Sequence, residues 1–379
     1  MTAAREFCRF ASRIARCRLA RTGIIRPPHP VTLTFSITNR CNSRCRTCRI
    51  WKLYQRRPEK AEGELSVSEI ERIFRSMRPV LFFNVSGGEP FLRDDVHEIV
   101  RLACRYLKPM VVHIPTNAID RDRTIEGVGR CLEAIDREAP GTTFTVKPSI
   151  DGIGKEHDRI RGVKGNFDSL MRTVEALRWL SKKHLNFHLE LGTVVSRMNM
   201  DALRDITSFV HNLGVQSYRN EIAEQRSEFF NVGDPITPTA EEYERLMHDF
   251  SAKIRENLKN KRRPARMMES LRLVYYQYAP RILRENSQVL PCYAGTSNVH
   301  ITPYGDLWPC CTLGYDKPMG NLPEANYNFG AVWHSARADV VREHIQSRKC
   351  ACPLANQAYS NIACNFRAAL KVMWNVLFA

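Results

Sequence analysis

Six apolar, β-branched segments alternate with amphipathic helical segments between residues 31 and 225, and this alternation limits the possible folds more than any other feature of the chain. Strands separated by helices pair in parallel, because each crossover is right-handed and returns to the same sheet. The chain is therefore of the α/β class, as either a doubly wound sheet or a barrel. The predicted strands are 31–38, 80–85, 110–114, 144–150, 187–195 and 215–223, and the helices between them are 66–77, 95–107, 124–138, 167–184 and 201–213.

The position of the unusual residues decides between these two folds. Cysteine, glycine and polar residues cluster just after the carboxyl ends of the predicted strands. In a (β/α) barrel that edge carries the active site. Six βα units are too few to close an eight-stranded barrel, so we predict a partial (β/α)6 barrel over residues 31–225, open at one side.

Three further segments flank this barrel. Residues 1–30 form a basic N-terminal helix, and the prolines at its end separate it from the first strand. Residues 226–286 form a helical linker with helices over 239–258 and 267–278. After residue 287 the βα alternation ends and cysteines return, which predicts a second, smaller domain over 287–379.

The chain of 379 residues carries a net charge of +17 and thirteen cysteines. The excess charge is spread along the chain without a nucleic-acid-binding module, so we do not expect nucleic acid as a partner. No apolar run reaches the roughly 20 residues that a membrane-spanning helix needs. Arginines interrupt the apolar stretches near the start, so no secretory signal is expected. Reduced cysteines then favour the cytoplasm, with the protein either free or at the membrane periphery.

The N-terminal helix has three interpretations. Arg9, Arg13 and Arg16 recur at helical spacing with apolar residues between them. Such a helix can pack over one end of the barrel, or it can bind an anionic membrane surface. An arginine-rich segment that is poor in acidic residues is also typical of a transit peptide.

Cys41, Cys45 and Cys48 form a C-x3-C-x2-C triplet directly after the first strand. Iron–sulfur clusters are usually held by four cysteines, so three thiolates on a [4Fe-4S] cluster leave one iron free to bind another molecule. A zinc site or ordinary reduced thiols are the alternatives. Zinc would require a fourth ligand nearby, and the paired C-x2-C spacing of a zinc ribbon is absent.

Gly87, Gly88 and Glu89 belong to a Gly-Gly-Glu-Pro segment after the second strand. Paired glycines let the backbone approach a ligand closely. A glutamate at this position could pair with an ammonium group. Alone, the segment could equally be a tight turn before a helix.

Together, the cysteine triplet after strand one and Gly-Gly-Glu-Pro after strand two resemble the radical S-adenosylmethionine (SAM) superfamily, over about residues 31–225. The resemblance implies that SAM binds the open iron through its amino and carboxylate groups, and that Gly87, Gly88 and Glu89 orient the amino group. Reduction of the cluster would then cleave SAM into methionine and a 5′-deoxyadenosyl radical, which removes a hydrogen atom from the substrate. A flavodoxin- or ferredoxin-type electron donor is implied as a partner.

One residue departs from the pattern of this superfamily. The residue before the third cysteine is usually aromatic, and this chain has Thr47 there. Trp51 and Tyr54 are the nearby aromatic residues that could compensate, or they could simply pack.

Polar residues at the later strand tips fit the same pocket. By the resemblance, they contact the carboxylate and ribose of SAM, and an arginine beyond strand four binds the carboxylate; each could instead be a helix cap or a surface salt bridge. No residue is assigned a catalytic role. The candidates are Asn117, Ser149, Asp151 and Arg161, with Arg159 as the alternative arginine and Asn199 as a further possibility.

The C-terminal segment resembles the SPASM or twitch extension of the superfamily, through its Cys292-x12-Gly305-x4-Cys310 spacing. The full SPASM cysteine pattern is not completed, so the resemblance implies one auxiliary [4Fe-4S] cluster in a small C-terminal iron–sulfur cluster domain. Its predicted ligands are Cys292, Cys310, Cys350 and Cys352. Cys364 is the rival for the last position, and Cys311 is a neighbour of a ligand. The remaining cysteines, predicted to be helical thiols, are Cys8, Cys17, Cys104 and Cys131.

These observations predict a radical SAM enzyme, an oxidoreductase or a transferase, whose substrate is not identified. The short segment before the first strand leaves no room for the peptide-recognition domain that peptide-modifying members carry, which favours oxidation or rearrangement of a small-molecule, sugar or lipid-linked substrate. One alternative is a peptide-modifying maturase. The other is a non-catalytic iron–sulfur protein or a zinc-stabilised nucleic-acid-binding protein.

Overall fold

The computed structural model describes residues 3–261 and 263–378, without the side chains of residues 3–7, 263 and 264. Residues 1, 2 and 379 of the predicted terminal segments lie outside it. No helix in the described ranges is both long enough and apolar enough to cross a membrane.

A nine-stranded sheet forms the centre of the described chain, with the spatial order β6-β5-β4-β3-β2-β1-β7-β8-β9. Strands β1 to β7 pair with one another in parallel. β8 pairs antiparallel with β7 on one side and with β9 on the other. The partial (β/α)6 barrel predicted from the sequence is thereby confirmed. The strands are β1 Thr32–Thr38, β2 Phe82–Gly87, β3 Val111–Thr116, β4 Thr143–Pro148, β5 Phe187–Val195, β6 Ser217–Ile222, β7 Asn298–Ile301, β8 Asp306–Trp308 and β9 Gly320–Asn321.

Helices flank the sheet, and the helices predicted within the barrel begin and end within a few residues of their predicted limits. They are α1 Ala3–Arg21, α2 Leu53–Arg56, α3 Glu59–Glu62, α4 Val67–Ser76, α5 Val96–Leu102, α6 Arg121–Glu138, α7 Lys155–Arg161, α8 Asn166–Lys183, α9 Leu203–Asn212, α10 Ala240–Leu258, α11 Arg263–Glu285, α12 Phe329–Trp333, α13 Ala336–Gln346, α14 Ala355–Cys364 and α15 Phe366–Phe378. A π-helical turn over Ala103–Leu107 extends α5 to its predicted end.

The alternation of side chains along each strand separates the core from the barrel interior. Phe35 of β1 and Phe83 of β2 pack edge to face against Phe74 of α4, with ring centroids 6.0 and 5.7 Å apart. Successive side chains of a strand point to opposite faces. The residues between these apolar ones therefore point into the barrel, and they are mainly polar, as at Ser36 and Asn84.

The C-terminal segment adds to the barrel sheet and does not form a sheet of its own. β7 pairs in parallel with β1, from Thr32 opposite Asn298 to Phe35 opposite Ile301. On the inner face, Ser36 Oγ lies 2.8 Å from Nε2 of His300. An unpaired edge at β1 would expose a row of backbone donors and acceptors, and β7 covers it. The predicted boundary at residue 287 thus separates two segments that share one sheet.

α1 packs against this extended sheet through its apolar face. Ile14 and Cys17 are buried in a small apolar cluster with Tyr293 and Cys364. Nε of Arg18 donates to the carbonyl of Cys364 at the end of α14, at 2.6 Å. Of the three interpretations of this helix, the structure shows packing against the barrel.

Candidate functional site

The cysteine triplet lies in the loop after β1, and the end of α7 holds that loop in place. The backbone amides of Arg44 and Arg46 donate to the carbonyls of Arg161 and Ile160, at 3.0 and 2.9 Å. A side chain on Gly162 would lie 2.3 Å from the carbonyl oxygen of Arg44, so only glycine permits this approach. The position of the triplet therefore depends on a helix more than a hundred residues away in sequence.

The three thiols share one partly buried surface. Burial raises the pKa of Cys41 to about 12, and nearby Glu89 and Cys45 add to the rise. Burial also raises the pKa of Cys48 to about 12, again with Cys45 contributing. Without a metal these two thiols stay protonated, so binding of iron must release their protons. Among residues 3–261 and 263–378, no three His, Cys, Asp or Glu side chains are arranged to hold a single metal ion.

The donor set fits an iron–sulfur cluster. Thiolates are the usual protein ligands of such clusters, and Cys45 neighbours both of the other thiols. Burial opposes the charge of Arg161, but nearby Cys45 and Asp151 raise its pKa overall. Its buried Nε atom has no hydrogen-bond partner within the described chain. The positive charge of Arg161 and this N–H donor, close to the cysteine thiols, suit a negatively charged cluster.

The Gly-Gly-Glu segment packs directly on the residues that precede Cys41. The amide of Gly88 donates to the carbonyl of Thr38, and the amide of Glu89 donates to that of Arg40, both at 2.8 Å. A Cβ atom on Gly87 would lie 2.0 Å from the Thr38 oxygen, and one on Gly88 would lie 2.2 Å from the Arg40 oxygen. Both glycines are required because two backbones meet here.

The Glu89 carboxylate connects the tips of β2 and β3. It accepts hydrogen bonds from Thr116 Oγ1 at 3.0 Å, from the amide of Asn117 at 2.6 Å and from the amide of Phe91 at 3.2 Å. Burial raises its pKa to about 7, although these hydrogen bonds oppose the rise. Both oxygens are engaged by the protein, so pairing of this side chain with the SAM amino group stays a prediction.

Asn117, Asp151 and Arg161 meet at the cysteine loop. Nδ2 of Asn117 donates to Oδ1 of Asn42 at 2.7 Å and lies 3.9 Å from Sγ of Cys41. Asp151 is buried and pairs with Arg161 at 3.1 Å. The structure thus brings these three predicted SAM-binding residues to one place beside the triplet.

The other polar candidates separate into different roles. Ser149 is half-buried at the tip of β4, beside Gly192 of β5. Asn199 donates to the carbonyl of Asp151 at 3.0 Å and therefore supports Asp151 from behind. Arg159 is exposed and pairs with Glu156 at 2.7 Å, which leaves Arg161 as the arginine of the pocket.

The two aromatic candidates, Trp51 and Tyr54, contact other side chains of the protein. The guanidinium of Arg44 lies over Trp51, 4.7 Å from the ring centre, beside a cleft of about 390 Å³ that also contains Cys45. The hydroxyl of Tyr54 lies 3.0 Å from that of Tyr304 and also bonds Glu64. Tyr54 therefore packs within the polypeptide.

Sequence reasoning missed a buried charged network on the inner face of the barrel. Lys147 of β4 pairs with Glu221 of β6 at 3.1 Å, and Glu190 of β5 pairs with Arg219 of β6 at 2.6 Å. Arg219 also donates to Nε2 of His113 at 3.2 Å, and burial lowers the pKa of that imidazole to about 3. The sequence does contain a signal for this network, because polar residues occupy alternate positions along these strands.

A second missed group follows β6. Glu224, Arg226 and Glu228 are largely buried, and Arg226 lies 3.8 and 3.6 Å from the two carboxylates. Burial disfavours the charge of Arg226, but its pKa is raised overall by nearby Cys311, both glutamates and Cys48. Arg226 thus lies between the first cysteine group and the C-terminal one, and the barrel mouth is bounded by both.

The four cysteines predicted to hold an auxiliary cluster lie near one another in pairs. Burial raises the pKa of the Cys292 thiol, and nearby Cys350 adds to the rise. Burial also raises the pKa values of Cys310 and Cys352, with Cys292 contributing to the first and Cys310 to the second. Backbone amides donate to Sγ of Cys310 and Cys352, both at 3.4 Å. Cys364 lies apart, beside Cys17 of α1. The geometry therefore favours Cys352 over Cys364 as the fourth ligand.

Two protein-family models match the chain. The model of the radical SAM superfamily matches residues 35–210, and the SPASM model, an iron–sulfur cluster-binding domain, matches residues 292–353. The second range contains the four cysteines predicted to hold the auxiliary cluster and ends before Cys364.

Several curated proteins are similar in sequence. A probable GTP 3′,8-cyclase of Thermococcus kodakarensis is 31% identical over 228 residues, which cover 57% of this chain and 67% of that protein. The antilisterial bacteriocin subtilosin biosynthesis protein AlbA of Bacillus subtilis is 23% identical over 358 residues, 91% of this chain and 70% of AlbA. The mycofactocin maturase MftC of Mycolicibacterium smegmatis is 27% identical over 325 residues, 85% of this chain and 75% of MftC.

Solved structures share the fold at low identity. Streptococcus suis SuiB bound to the precursor peptide SuiA is 15% identical, with a TM-score of 0.59, over 86% of this chain and 70% of that one. The native anSMEcpe with bound AdoMet is also 15% identical, with a TM-score of 0.56, over 82% of each chain.

Proposed function

Because this chain belongs to the radical SAM superfamily, we propose that it uses SAM to oxidise or rearrange a polar small-molecule, sugar or lipid-linked substrate held in the barrel mouth. Membership makes it an enzyme with a [4Fe-4S] cluster and SAM, and its SPASM domain implies auxiliary iron–sulfur chemistry. The observation that carries the substrate proposal is the buried charged network on the inner wall of the barrel.

The protein residues have separable tasks in this proposal. The bound cluster supplies the electron that cleaves SAM into methionine and a 5′-deoxyadenosyl radical. Asn117, Asp151 and Arg161 orient SAM beside the triplet, with Glu89 holding the strand tips together. Arg226 and the inner-wall charges orient the substrate.

The inner wall supports a polar substrate for an electrostatic reason. The charges of Lys147, Arg219, Glu190 and Glu221 are paired, yet Nε of Arg219 has no hydrogen-bond partner among the described residues. The Oε2 atoms of Glu224 and Glu228 are likewise buried without a hydrogen-bond partner in the described ranges, and their contact is the longer ion pair with Arg226. Buried polar atoms without partners are costly, so a polar substrate that bonds them is favoured.

A direct test is release of 5′-deoxyadenosine by anaerobically reconstituted protein with dithionite and SAM. We expect release by the wild type and none by Cys45→Ala, because the cluster loses one of three ligands. Cys8→Ala is the matched control, since Cys8 is an exposed helical thiol and should leave the release unchanged. Equal traces from wild type and Cys45→Ala would overturn the proposal and favour the non-catalytic alternative.

The substrate class can be assigned through the abstracted atom. The 5′-deoxyadenosyl radical would take a hydrogen atom from the substrate and become 5′-deoxyadenosine, leaving a substrate radical, so a deuterated substrate labels that product. Fully deuterated cell extract would be divided into lipid, aqueous small-molecule and peptide fractions, and each would be incubated with the enzyme and SAM. We expect label from one of the first two fractions, detected by mass spectrometry.

A peptide substrate is the second candidate. The relatives AlbA and MftC are named for bacteriocin biosynthesis and mycofactocin maturation, and SuiB was solved with a precursor peptide. Label that appears with the peptide fraction alone would establish this candidate in place of the first.

We propose one auxiliary [4Fe-4S] cluster on Cys292, Cys310, Cys350 and Cys352. Two clusters require about eight iron atoms per chain. Cys352→Ala should lower the count to about four, while Cys364→Ala should leave it at about eight. The reverse outcome would assign the fourth position to Cys364.

We also propose that a flavodoxin- or ferredoxin-type donor binds beside Cys45, and that the enzyme works in the reducing cytoplasm. The cleft there is lined by three arginines and Asp234, and Asp234 pairs with Arg49 at 2.6 Å, so Arg44 and Arg46 are the cations that suit an acidic donor. Arg46→Glu should slow SAM cleavage with reduced flavodoxin but not with dithionite. Arg255→Glu, an exposed charge reversal on α10, is the control. Equal slowing with both reductants would contradict this docking site.

A further inference from the structure

α15 presents a continuous apolar face to solvent. Phe366, Leu370, Trp374 and Leu377 are 65%, 52%, 65% and 64% exposed. Their spacing of three or four residues places them on one side of the helix. Val372 is buried on the opposite side, against the core. The helix is therefore apolar on two sides, although only one of them packs against described residues.

The charged residues of α15 are all positive. Arg367 and Lys371 are exposed and lie between the solvent-facing and the core-facing apolar sides. Nζ of Lys371 lies 5.5 Å from the ring centre of Tyr278. Residues 355–378, which include all of α14 and α15, contain no Asp or Glu. The apolar face is thus bordered by cations without local compensation.

The basic helix α1 lies next to the start of α15. Arg18 donates to the carbonyls of Cys364 and Ala363, at 2.6 and 3.2 Å, at the point where α14 ends. Along the same stretch Arg16 is exposed, and so is Ile24 beyond the helix, at 69%. Basic and apolar groups of two helices are therefore neighbours on the outside of the molecule.

We propose that the exposed face of α15 inserts into the interfacial region of an anionic lipid bilayer, with α1 adding cationic contacts beside it. Apolar and aromatic side chains on one helix face, bordered by Lys and Arg, are typical of helices that lie in the plane of a membrane surface. Tryptophan is favoured at that depth, and anionic headgroups attract the flanking cations. Membrane binding is one of three interpretations of α1 from the sequence, but Ile14 and Cys17 of its apolar face are buried.

A second copy of the chain is a less favourable partner for this face than a lipid bilayer. Two α15 helices packed face to face would bring Arg367 and Lys371 of both copies to the same interface, where like charges repel. A bilayer with anionic headgroups neutralises the same cations. Contiguous exposed apolar patches on folded chains often mark interaction sites.

The experiment measures co-sedimentation of the full-length reconstituted protein with phosphatidylcholine vesicles, with and without phosphatidylglycerol. We expect binding to the anionic vesicles that weakens at high salt. Leu370→Glu combined with Trp374→Glu should reduce the binding about tenfold or more. Trp179→Glu combined with Leu185→Glu is the matched control, since both residues are exposed apolar groups on another part of the molecule.

A second readout places Trp374 itself. Brominated lipids should quench part of the tryptophan fluorescence in the wild type, and Trp374→Phe should remove that part while the protein still sediments with vesicles. Absence of vesicle binding, or equal loss in the control variant, overturns the proposal. So does a concentration-dependent dimer that the α15 variant dissociates without any vesicle binding, which would assign the face to a second copy.

Discussion

Arg161 connects three parts of the site through one residue. Its carbonyl oxygen accepts hydrogen bonds from the amide of Arg44 and the hydroxyl of Ser43, at 3.0 and 3.1 Å. Its guanidinium pairs with Asp151 and lies near the thiols. The backbone carbonyl of Arg161 positions the cysteine loop, and its guanidinium supplies positive charge beside the loop. Pairing with Asp151 fixes the guanidinium in that place.

His157 supports that arrangement as a neutral imidazole. Its Nδ1 accepts from the amide of Asp151 at 3.2 Å, and its Nε2 lies 3.1 Å from Oδ1 of Asn166, to which it donates. The side chain is fully buried, and burial together with nearby Arg161 lowers its pKa to about 4. Protonation would remove the acceptor that Asp151 uses.

This predicts an acid-sensitive fold. Between an ordinary histidine pKa of about 6.5 and the folded value of about 4, the unfolded chain binds a proton that the folded chain excludes. The stabilisation is therefore present above pH 6.5 and is lost as the pH falls towards 4. His157 alone should account for about 3 kcal/mol of the free energy of unfolding. Urea unfolding of the apoprotein across this range measures it.

His157→Gln is the informative variant, because glutamine retains an acceptor and a donor but does not titrate. Its unfolding free energy should depend less steeply on pH than that of the wild type. His248→Gln, at an exposed position on α10, should keep the wild-type slope. If the His157 and His248 variants had the same slope, the imidazole would not be the titrating group.

At the scale of elements, α7 and the cysteine loop form one packed unit. Gly162 ends α7 with a φ of +71°, and Gly165 precedes α8 with a φ of +79°. Only Gly162 contacts the loop, since a Cβ on Gly165 would have no neighbour within 4 Å. The two glycines therefore form a natural pair for comparison.

Gly162→Ala should cause loss of the triplet cluster, whereas Gly165→Ala should not. Alanine at either position incurs a similar backbone strain of about 1 kcal/mol, because both require positive φ. Only Gly162→Ala also displaces the Arg44 carbonyl and the cysteines beside it. Iron should then decrease from about eight to about four atoms per chain in that variant. Equal iron in the two variants would contradict the role assigned to α7.

The sequence predicted local elements well where the signal itself is local. The sequence predicted a helix over 66–77, and the structure begins α4 at Val67 with a full capping box between Ser66 and Glu69. In contrast, Lys147 and Glu221 lie 74 positions apart in sequence, and they meet because two strands align on the inner face. Such a pair depends on strand order and register, which a single sequence does not specify.

At the scale of the whole molecule, the sheet joins the barrel to the C-terminal segment. Val299 and Ile301 of β7 are buried, and they share the main core with Leu33 and Phe35 of β1. Unfolding β7 alone would expose this core and the edge of β1. We therefore expect the two segments to unfold together.

Hydrogen exchange of the reconstituted protein at increasing urea concentration tests this expectation. Peptides from β1 and from β7 should lose protection at the same urea concentration, since they belong to one cooperative unit. Peptides from α1, which contacts the rest through a small cluster, serve as the comparison and should lose protection earlier. Early loss at β7, with β1 still protected, would instead support an independent domain after residue 287.

The sequence by itself determined the α/β class, the order of the six βα units, the two motifs beside the first two strands, and the family to which they belong. These are local patterns, because spacing and alternation are visible along the chain. Only the tertiary structure placed Cys364 beside Cys17 of α1 and Cys352 near Cys310, placed Arg226 near Cys48 and Cys311, and paired β7 with β1. Each of these depends on which distant segments pack together, and packing is a property of the whole fold. For the same reason, the exposed apolar face of α15 became visible only in the tertiary structure.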